Sequence, residues 1–250
     1  MSEEKKSQWF ETWFDSPYYH LLYQNRDDSE AALFLNNLTS KLQFPPNATL
    51  WDMACGKGRH VKFLLEKGLT AIGSDLSENS IQLALNSNLP LVASPFFYVH
   101  DMRDPLRVNY FDVVLNVFTS IGYFEDYRDN ERVFLSAAKS LKKGGYFVLD
   151  FFNSEKVIRE LIRQEKKNIS GIEFDIQRAV ENNRIIKSIK IKDHESEFSF
   201  EERVQLLNME DFVKYAVGAG LQKLHAFGDY RLSAFDKSNS ERLILIFIKS

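Results

Sequence analysis

The chain has 250 residues, a 44% hydrophobic share and a formal net charge of −3. That is enough for one α/β domain with a real core, and too little positive charge for a large nucleic-acid footprint. No run approaches the ~18 uncharged apolar residues that span a bilayer, and one cysteine excludes an internal disulfide framework and fits a reducing compartment. The opening MSEEKKSQWFETWF is acidic and amphipathic, unlike a secretory signal. A cytoplasmic location without membrane contact is therefore expected.

Residues 8–24, QWFETWFDSPYYHLLYQ, are dense in aromatics. Residues 29–42 place apolar side chains at helical spacing behind Ser29 as N-cap, and Pro45 and Pro46 stop that helix. A regular alternation follows. ATLWDMA (48–54) reads as a strand and GRHVKFLLEKG (58–68) as a helix closed by Gly68. TAIGSD (70–75) is a strand and SENSIQLALNSN (77–88) a helix, with Ser77 or Asp75 near its start. PFFYVH (95–100) and YFDVVLNVF (110–118) are strands, RDNERVFLSAAKSLKKGG (128–145) a helix, and YFVLDFF (146–152) a strand.

Strands alternating with helices imply βαβ units and a parallel sheet, and near-continuous apolar strands fit a sheet covered on both faces. The pattern changes in residues 171–207, which read as three strands with turns at Asn182-Asn183 and Lys192-Asp193-His194. NMEDFVKYAVGAG (208–220) is a helix with Asn208 as N-cap and Gly220 beyond its end. LQKLHAFGDY and RLILIFIKS form a final strand pair returning to the main sheet.

The Cys55, Gly56, Gly58 turn follows the first parallel strand. In a doubly wound sheet, ligands sit at that place, beyond the carboxyl ends of the strands. Glycine lets a ligand approach the main chain, and the helix beginning near Arg59 offers unpaired N–H groups and a positive dipole end. The second strand ends in Asp75, seventeen residues past Gly58, where a carboxylate can accept from two ribose hydroxyls. A nucleoside with an anionic tail is the ligand these features point to. The nicotinamide GxGxxG motif fits poorly, because Gly56-Lys57-Gly58-Arg59-His60-Val61 lacks the third glycine.

Several segments, in order, resemble the Rossmann-like (class I) S-adenosylmethionine-dependent methyltransferases. Asp52-Met53-Ala54-Cys55-Gly56-Lys57-Gly58-Arg59 is similar to their first motif, Asp75 to their ribose-binding acid, and Asp101-Met102 to their adenine-contacting pair. Phe111 to Phe118 resembles the fourth strand. Leu141-Lys142-Lys143-Gly144-Gly145 resembles the LKPGG turn, with lysine for proline. Asn116 to Tyr123 resembles the same segment of small-molecule N-methyltransferases, including those acting on amino sugars.

The resemblance implies a seven-stranded doubly wound sheet, mostly parallel with the last strand antiparallel, and an antiparallel meander insertion. Residues 1–250 would form one domain: a helical lid (1–44), a cofactor core (45–152), a meander over the site (170–207), and a final helix and strand pair (208–250). The implied activity is methyl transfer from S-adenosyl-L-methionine to N or O of a small molecule, in a monomer or homodimer.

The resemblance also implies residue roles. Asp52 would sit near the methionine ammonium. Ala54, Cys55, Gly56 and Gly58 would line the methionyl and ribose side, with Arg59 on the carboxylate or the lid. Asp75 would take the ribose, Leu76 and Met102 would pack on adenine, and Asp101 would accept from its amino group. Asn116, Val117 and Phe118 would face the sulfonium and the acceptor, and Tyr123 and Tyr19 would be the catalytic residues on the acceptor side. Asp150, His194 and His225 are further base candidates, whereas His60 is read as a local packing residue. No metal is implied. A non-catalytic binding or sensing role is the alternative, and nucleic-acid methylation is disfavoured because Asn116-Val117-Phe118-Thr119 carries no proline.

Overall fold

Leu50, Trp51, Asp52 and Met53 are all buried in β1 (Thr49–Met53), which is what an apolar run does when both faces of its sheet are covered. The computed structural model describes residues 8–24, 28–86 and 96–250. Residues 1–7, and the parts of the predicted helix at 77–88 and strand at 95–100 that fall within 87–95, lie outside them.

Around β1 stand β2 (Thr70–Asp75), β3 (Phe97–Val99), β4 (Phe111–Asn116), β5 (Leu141–Phe152), β10 (Leu221–Phe227) and β11 (Arg242–Lys249), in the order β10-β11-β5-β4-β1-β2-β3. The central pairs are parallel, and β11 runs antiparallel to both β5 and β10. Alternate side chains of each strand enter different cores. Trp51, Phe147, Leu149, Leu245 and Phe247 pack on one face. Leu50, Val148, Ile244 and Ile246 pack on the other. β1 is flanked by β2 on one side and β4 on the other, so strand order reverses there. A crevice opens at its carboxyl end.

The helices are α1 (Trp9–Phe14), α2 (Pro17–Leu22), α3 (Asp28–Leu42), α4 (Arg59–Glu66), α5 (Glu78–Leu85), α6 (Arg128–Ser140), α7 (Ser154–Arg159) and α8 (Met209–Gly218). Ser77 caps α5 by accepting from the Ser80 N–H, and Asn208 forms a reciprocal capping box with Asp211. α3 begins at Asp28, so Ser29 lies inside it and does not cap it. α6 stops at Ser140, five residues before the predicted end. Leu141 is extended and fully buried, and it pairs with Phe111 at the start of β5. Tertiary burial there outweighs helix propensity.

The second sheet has four antiparallel strands: β6 (Gln164–Ile169), β7 (Ile172–Glu181), β8 (Arg184–Asp193) and β9 (Ser196–Gln205). The pattern predicts three. β6 reads QEKKNI, with no apolar alternation, because it is an exposed edge strand whose charges discourage further pairing. The Asn182-Asn183 turn is where the sequence places it, with both residues left-handed (φ 48 and 58°). Trp13 of α1 and Leu22 of α2 are buried against Phe174, Ile176, Ile189 and Ile191 of this sheet. The N-terminal helices are therefore mounted on the meander.

Candidate active site

Ala54, Gly56 and Gly58 all adopt left-handed backbone angles (φ 57, 55 and 78°), which turns the chain sharply from β1 into α4. The two glycines serve different needs. A Cβ on Gly56 would meet no atom within 4 Å, so open space lies beside that backbone. A Cβ on Gly58 would lie 2.4 Å from the Phe97 ring, so Gly58 is required by packing.

Asp75 fastens the turn. Its Oδ2 accepts from the Gly56 N–H at 2.8 Å and its Oδ1 from the Ser77 N–H at 2.9 Å. Burial pushes its carboxyl above the usual range, against the pull of these backbone donors. A carboxylate has about four acceptor sites, so these backbone donors leave it able to accept from a ligand hydroxyl.

Asp52 is 1% exposed, and its Oδ2 lies 3.2 Å from His60 Nδ1. Its Oδ1, His60 Nε2 and Asn116 Oδ1 are buried without a hydrogen-bond partner among the described residues. Buried polar atoms are rarely left so. His60 stacks on Phe118 at 5.1 Å between centroids, and the Arg59 guanidinium lies 4.0 Å from the Phe118 ring centre.

Phe118 and Thr119 are left-handed as well (φ 59 and 62°). Asp150, fully buried in β5, holds them there. Its Oδ2 accepts from the Phe118 N–H (2.8 Å) and the Tyr230 hydroxyl (3.0 Å), and its carbonyl from the Thr119 N–H (3.0 Å). Its Oδ1 accepts from Arg242 Nε at 2.8 Å, and Arg242 also donates to Thr119 Oγ1 at 3.0 Å.

On the β2–β3 side, Asp101 is clamped by Arg103, whose guanidinium reaches across to Asp129 of α6 at 2.7 Å. Burial raises the Asp101 carboxyl, and the Arg103 hydrogen bonds and charge outweigh it, leaving it below the usual range. Met102 Sδ receives Asn116 Nδ2 at 3.4 Å.

These parts enclose a cavity of ≈ 320 Å³, within the range of small-molecule sites. Of the residues singled out in the sequence, Ala54, Cys55, Gly56, Arg59, Asp75, Leu76, Asp101, Met102, Val117, Phe118, Tyr19 and Tyr123 line it, and so does His60, which the sequence suggests is a local packing residue. Asp52, Gly58 and Asn116 stand behind that lining. Asp150 is not a base poised at the site, because it is a buried anchor outside the lining. His194 sits exposed in the β8–β9 turn and His225 on β10, both away from the cavity.

α1 and α2 form the roof. Phe10, Phe14, Tyr19, His20 and Tyr23 line the cavity. Tyr123 packs against Trp9 at 5.5 Å and Phe14 at 5.1 Å, and its hydroxyl donates to the Thr119 carbonyl. Lys57 also lines the cavity, and no sequence motif marks the two phenylalanines. A spacing signal is present, since Phe10/Phe14 and Tyr19/Tyr23 are i, i+4 pairs that place rings on one helix face. Burial and the Lys57 charge, opposed by Asp15, push the His20 imidazole down to about 4.

A family described as "Methyltransferase domain" matches residues 51–149, the stretch that builds this turn and crevice. Over that stretch the chain is similar to methyltransferase domains. A curated relative from Streptomyces venezuelae is a dTDP-3-amino-3,4,6-trideoxy-alpha-D-glucopyranose N,N-dimethyltransferase. It is 28% identical over 140 residues, which span 53% of this chain and 57% of that protein. Two solved structures share the fold. A methyltransferase from Clostridium acetobutylicum superposes with a TM-score of 0.78 at 20% identity, covering 93% of this chain and 96% of the other. A sugar N-methyltransferase from Streptoalloteichus gives 0.70 at 21% identity, covering 92% of both chains.

The residues of this cradle fit S-adenosylmethionine, the cofactor named for the Clostridium acetobutylicum structure of similar fold. Open space flanks the Gly56 backbone, a doubly anchored carboxylate lies at Asp75, and orphaned polar atoms await partners on Asp52, His60 and Asn116. Among the described residues no cluster of metal ligands occurs, and no helix is long and apolar enough to cross a membrane.

Proposed function

We propose that the protein methylates the amine nitrogen of a small amino sugar. Asp75 holds the ribose hydroxyls, Leu76 and Met102 cover the adenine faces, and Asp101 accepts from the adenine amino group. Asp52 faces the methionyl ammonium, Arg59 its carboxylate, and the backbone of Ala54, Cys55 and Gly56 lines the approach. Gly58 and Asn116 shape that lining from behind. Val117, Phe118, Tyr19 and Tyr123 bound the acceptor side.

The observation that carries this reading is the open space at Gly56, facing a cavity that Asp75 and an aromatic roof both border. The bound cofactor supplies a methyl group on sulfur that is already a good leaving group. The task left to the protein is alignment, and positioning of this kind is worth ~7–11 kcal/mol of barrier. The fixed left-handed Phe118–Thr119 segment and the lid rings set that alignment and keep water out. Aromatic faces also favour the positive charge that passes from sulfur to nitrogen. The amino-sugar class rests on the similarity to the dTDP-amino-sugar N,N-dimethyltransferase.

The test is calorimetry with S-adenosylmethionine and with NAD, followed by transfer of tritiated methyl to amino sugars, neutral sugars and oligonucleotides. Binding of the sulfonium and label on the amino sugars are expected. Binding of NAD alone, or label confined to the other classes, refutes the assignment.

A further inference from the structure

The turn between α1 and α2 reaches across to the cofactor side of the cavity. Asp15, which closes α1, accepts from the Ser77 hydroxyl at 2.6 Å and from the Asn79 N–H at 3.2 Å through Oδ1. Its Oδ2 accepts from Asn79 Nδ2 at 2.7 Å. Ser77 is shared. Its backbone N–H donates to Asp75 Oδ1 at 2.9 Å, while its hydroxyl donates to Asp15. One residue therefore joins the ribose carboxylate to the turn of the lid.

The two ends of the lid are held unequally. At the meander, Trp13 is fully buried, and Trp13 Nε1 and the Tyr23 hydroxyl each donate to Glu202 Oε1 at 2.7 Å. The Tyr18 hydroxyl adds a bond to Asp193 Oδ2 at 2.9 Å. This end rests on an apolar cluster and stays put. At Asp15 the Asn79 bonds are solvent-exposed, and bonds without apolar cover open at low cost.

We propose that Asp15 is a positioning residue that acts through Ser77 on Asp75 and couples cofactor binding to closure of the lid. This rests on the cofactor site proposed above. Ribose hydroxyls settling on Asp75 fix the carboxylate that holds the Ser77 N–H. Ser77 is thereby held with its hydroxyl towards Asp15. Closure in turn completes the aromatic roof on the acceptor side, so the two events share one free energy and each favours the other.

The test uses the full chain with S-adenosylhomocysteine as probe, followed by calorimetry and by backbone hydrogen exchange of residues 9–23. In the wild type the probe should slow exchange in that segment at least ~10-fold, the size of a modest coupling. Asp15→Ala should bind the probe ~3- to 10-fold more weakly, as expected on loss of one coupled contact set. It should keep protection around Gly56 and Asp75 and lose most probe-induced protection of the lid. Asp15→Asn, which retains an acceptor oxygen, should restore much of both. A purely structural Asp15 would loosen the lid equally with and without probe at unchanged affinity, and that result overturns the coupling alone. A wild-type chain that binds no probe overturns the cofactor reading, and the coupling with it.

Discussion

Asp75→Asn is the most discriminating change at the cofactor side, because it keeps the shape of the side chain and removes its charge and one acceptor. Asp75 now accepts from two backbone N–H groups at 2.8 and 2.9 Å. An amide can satisfy one and must point its own donor at the other. On the ligand side, one ribose hydroxyl loses a charged acceptor, worth about 1.5–3 kcal/mol. At about 1.4 kcal/mol per decade, the affinity for S-adenosylhomocysteine should fall ~10- to 100-fold. Stability should fall less. Burial raises the carboxyl pKa, so the ionised group is costly in the fold and the neutral amide relieves part of that cost.

The same shift sets the sign of a pH effect. A raised folded pKa means that Asp75 favours the fold below the ordinary carboxylate pKa, and that contribution is lost as pH rises through the raised value. Ligand hydroxyls donate to the ionised form, so probe affinity should rise with pH across that window and level off above it. Isothermal titration calorimetry at several pH values checks both, with thermal melts for stability. Probe affinity within threefold of wild type, with an unchanged pH profile, would refute the assignment of Asp75 to the ribose.

Gly58→Ala places a Cβ 2.4 Å from the Phe97 ring at φ 78° and should cost roughly 2–5 kcal/mol from left-handed strain and overpacking together. Urea denaturation measures this, and Phe97→Leu in the same chain should recover part of it. Asp150→Ala strips the partner from Arg242 and frees the Phe118 and Thr119 amides. A loss of about 3–5 kcal/mol is expected, with methyl transfer falling further than probe affinity. A loss below about 1 kcal/mol would show that the anchor is dispensable. His20, with Lys57 and Asp15 as its charged neighbours, titrates near 4 in the fold and near 6.5 unfolded. Stability should therefore be fully present above about 6.5 and decline as pH falls towards 4. Melting curves across this range should show a flatter slope for His20→Phe, and an identical slope would place the proton elsewhere.

The cofactor half of the molecule was legible because its determinants are local. Residues 49–76 contain a buried strand, the left-handed turn, the start of α4 and the carboxylate that ties them together. Each has a chemical reason to be the residue it is. Even there the sequence left Gly56 and Gly58 indistinguishable. Only the nearness of Phe97, from a strand 39 positions later in the chain, shows that Gly58 is required by packing while Gly56 borders open space. Asp150 misled for a related reason. A lone acid at the end of a parallel strand looks like a base until Arg242 and Tyr230 are seen to consume its lone pairs.

The acceptor half was harder, and the reason lies in contact distance along the chain. Trp13 meets Glu202 across 189 positions and Tyr18 meets Asp193 across 175, whereas periodicity reports only neighbours within a few turns. β6 shows the same failure from the other side, since an edge strand made of charges carries no alternation to detect. The division has a functional consequence. A cradle built from one contiguous stretch can stay constant while a roof of α1 and α2, mounted on the distant β8 and β9, is re-shaped by changes far along the chain. On the proposed reading, acceptor choice would reside in the surfaces that carry no motif, and the Asp15–Ser77–Asp75 chain of hydrogen bonds links them to the cofactor side.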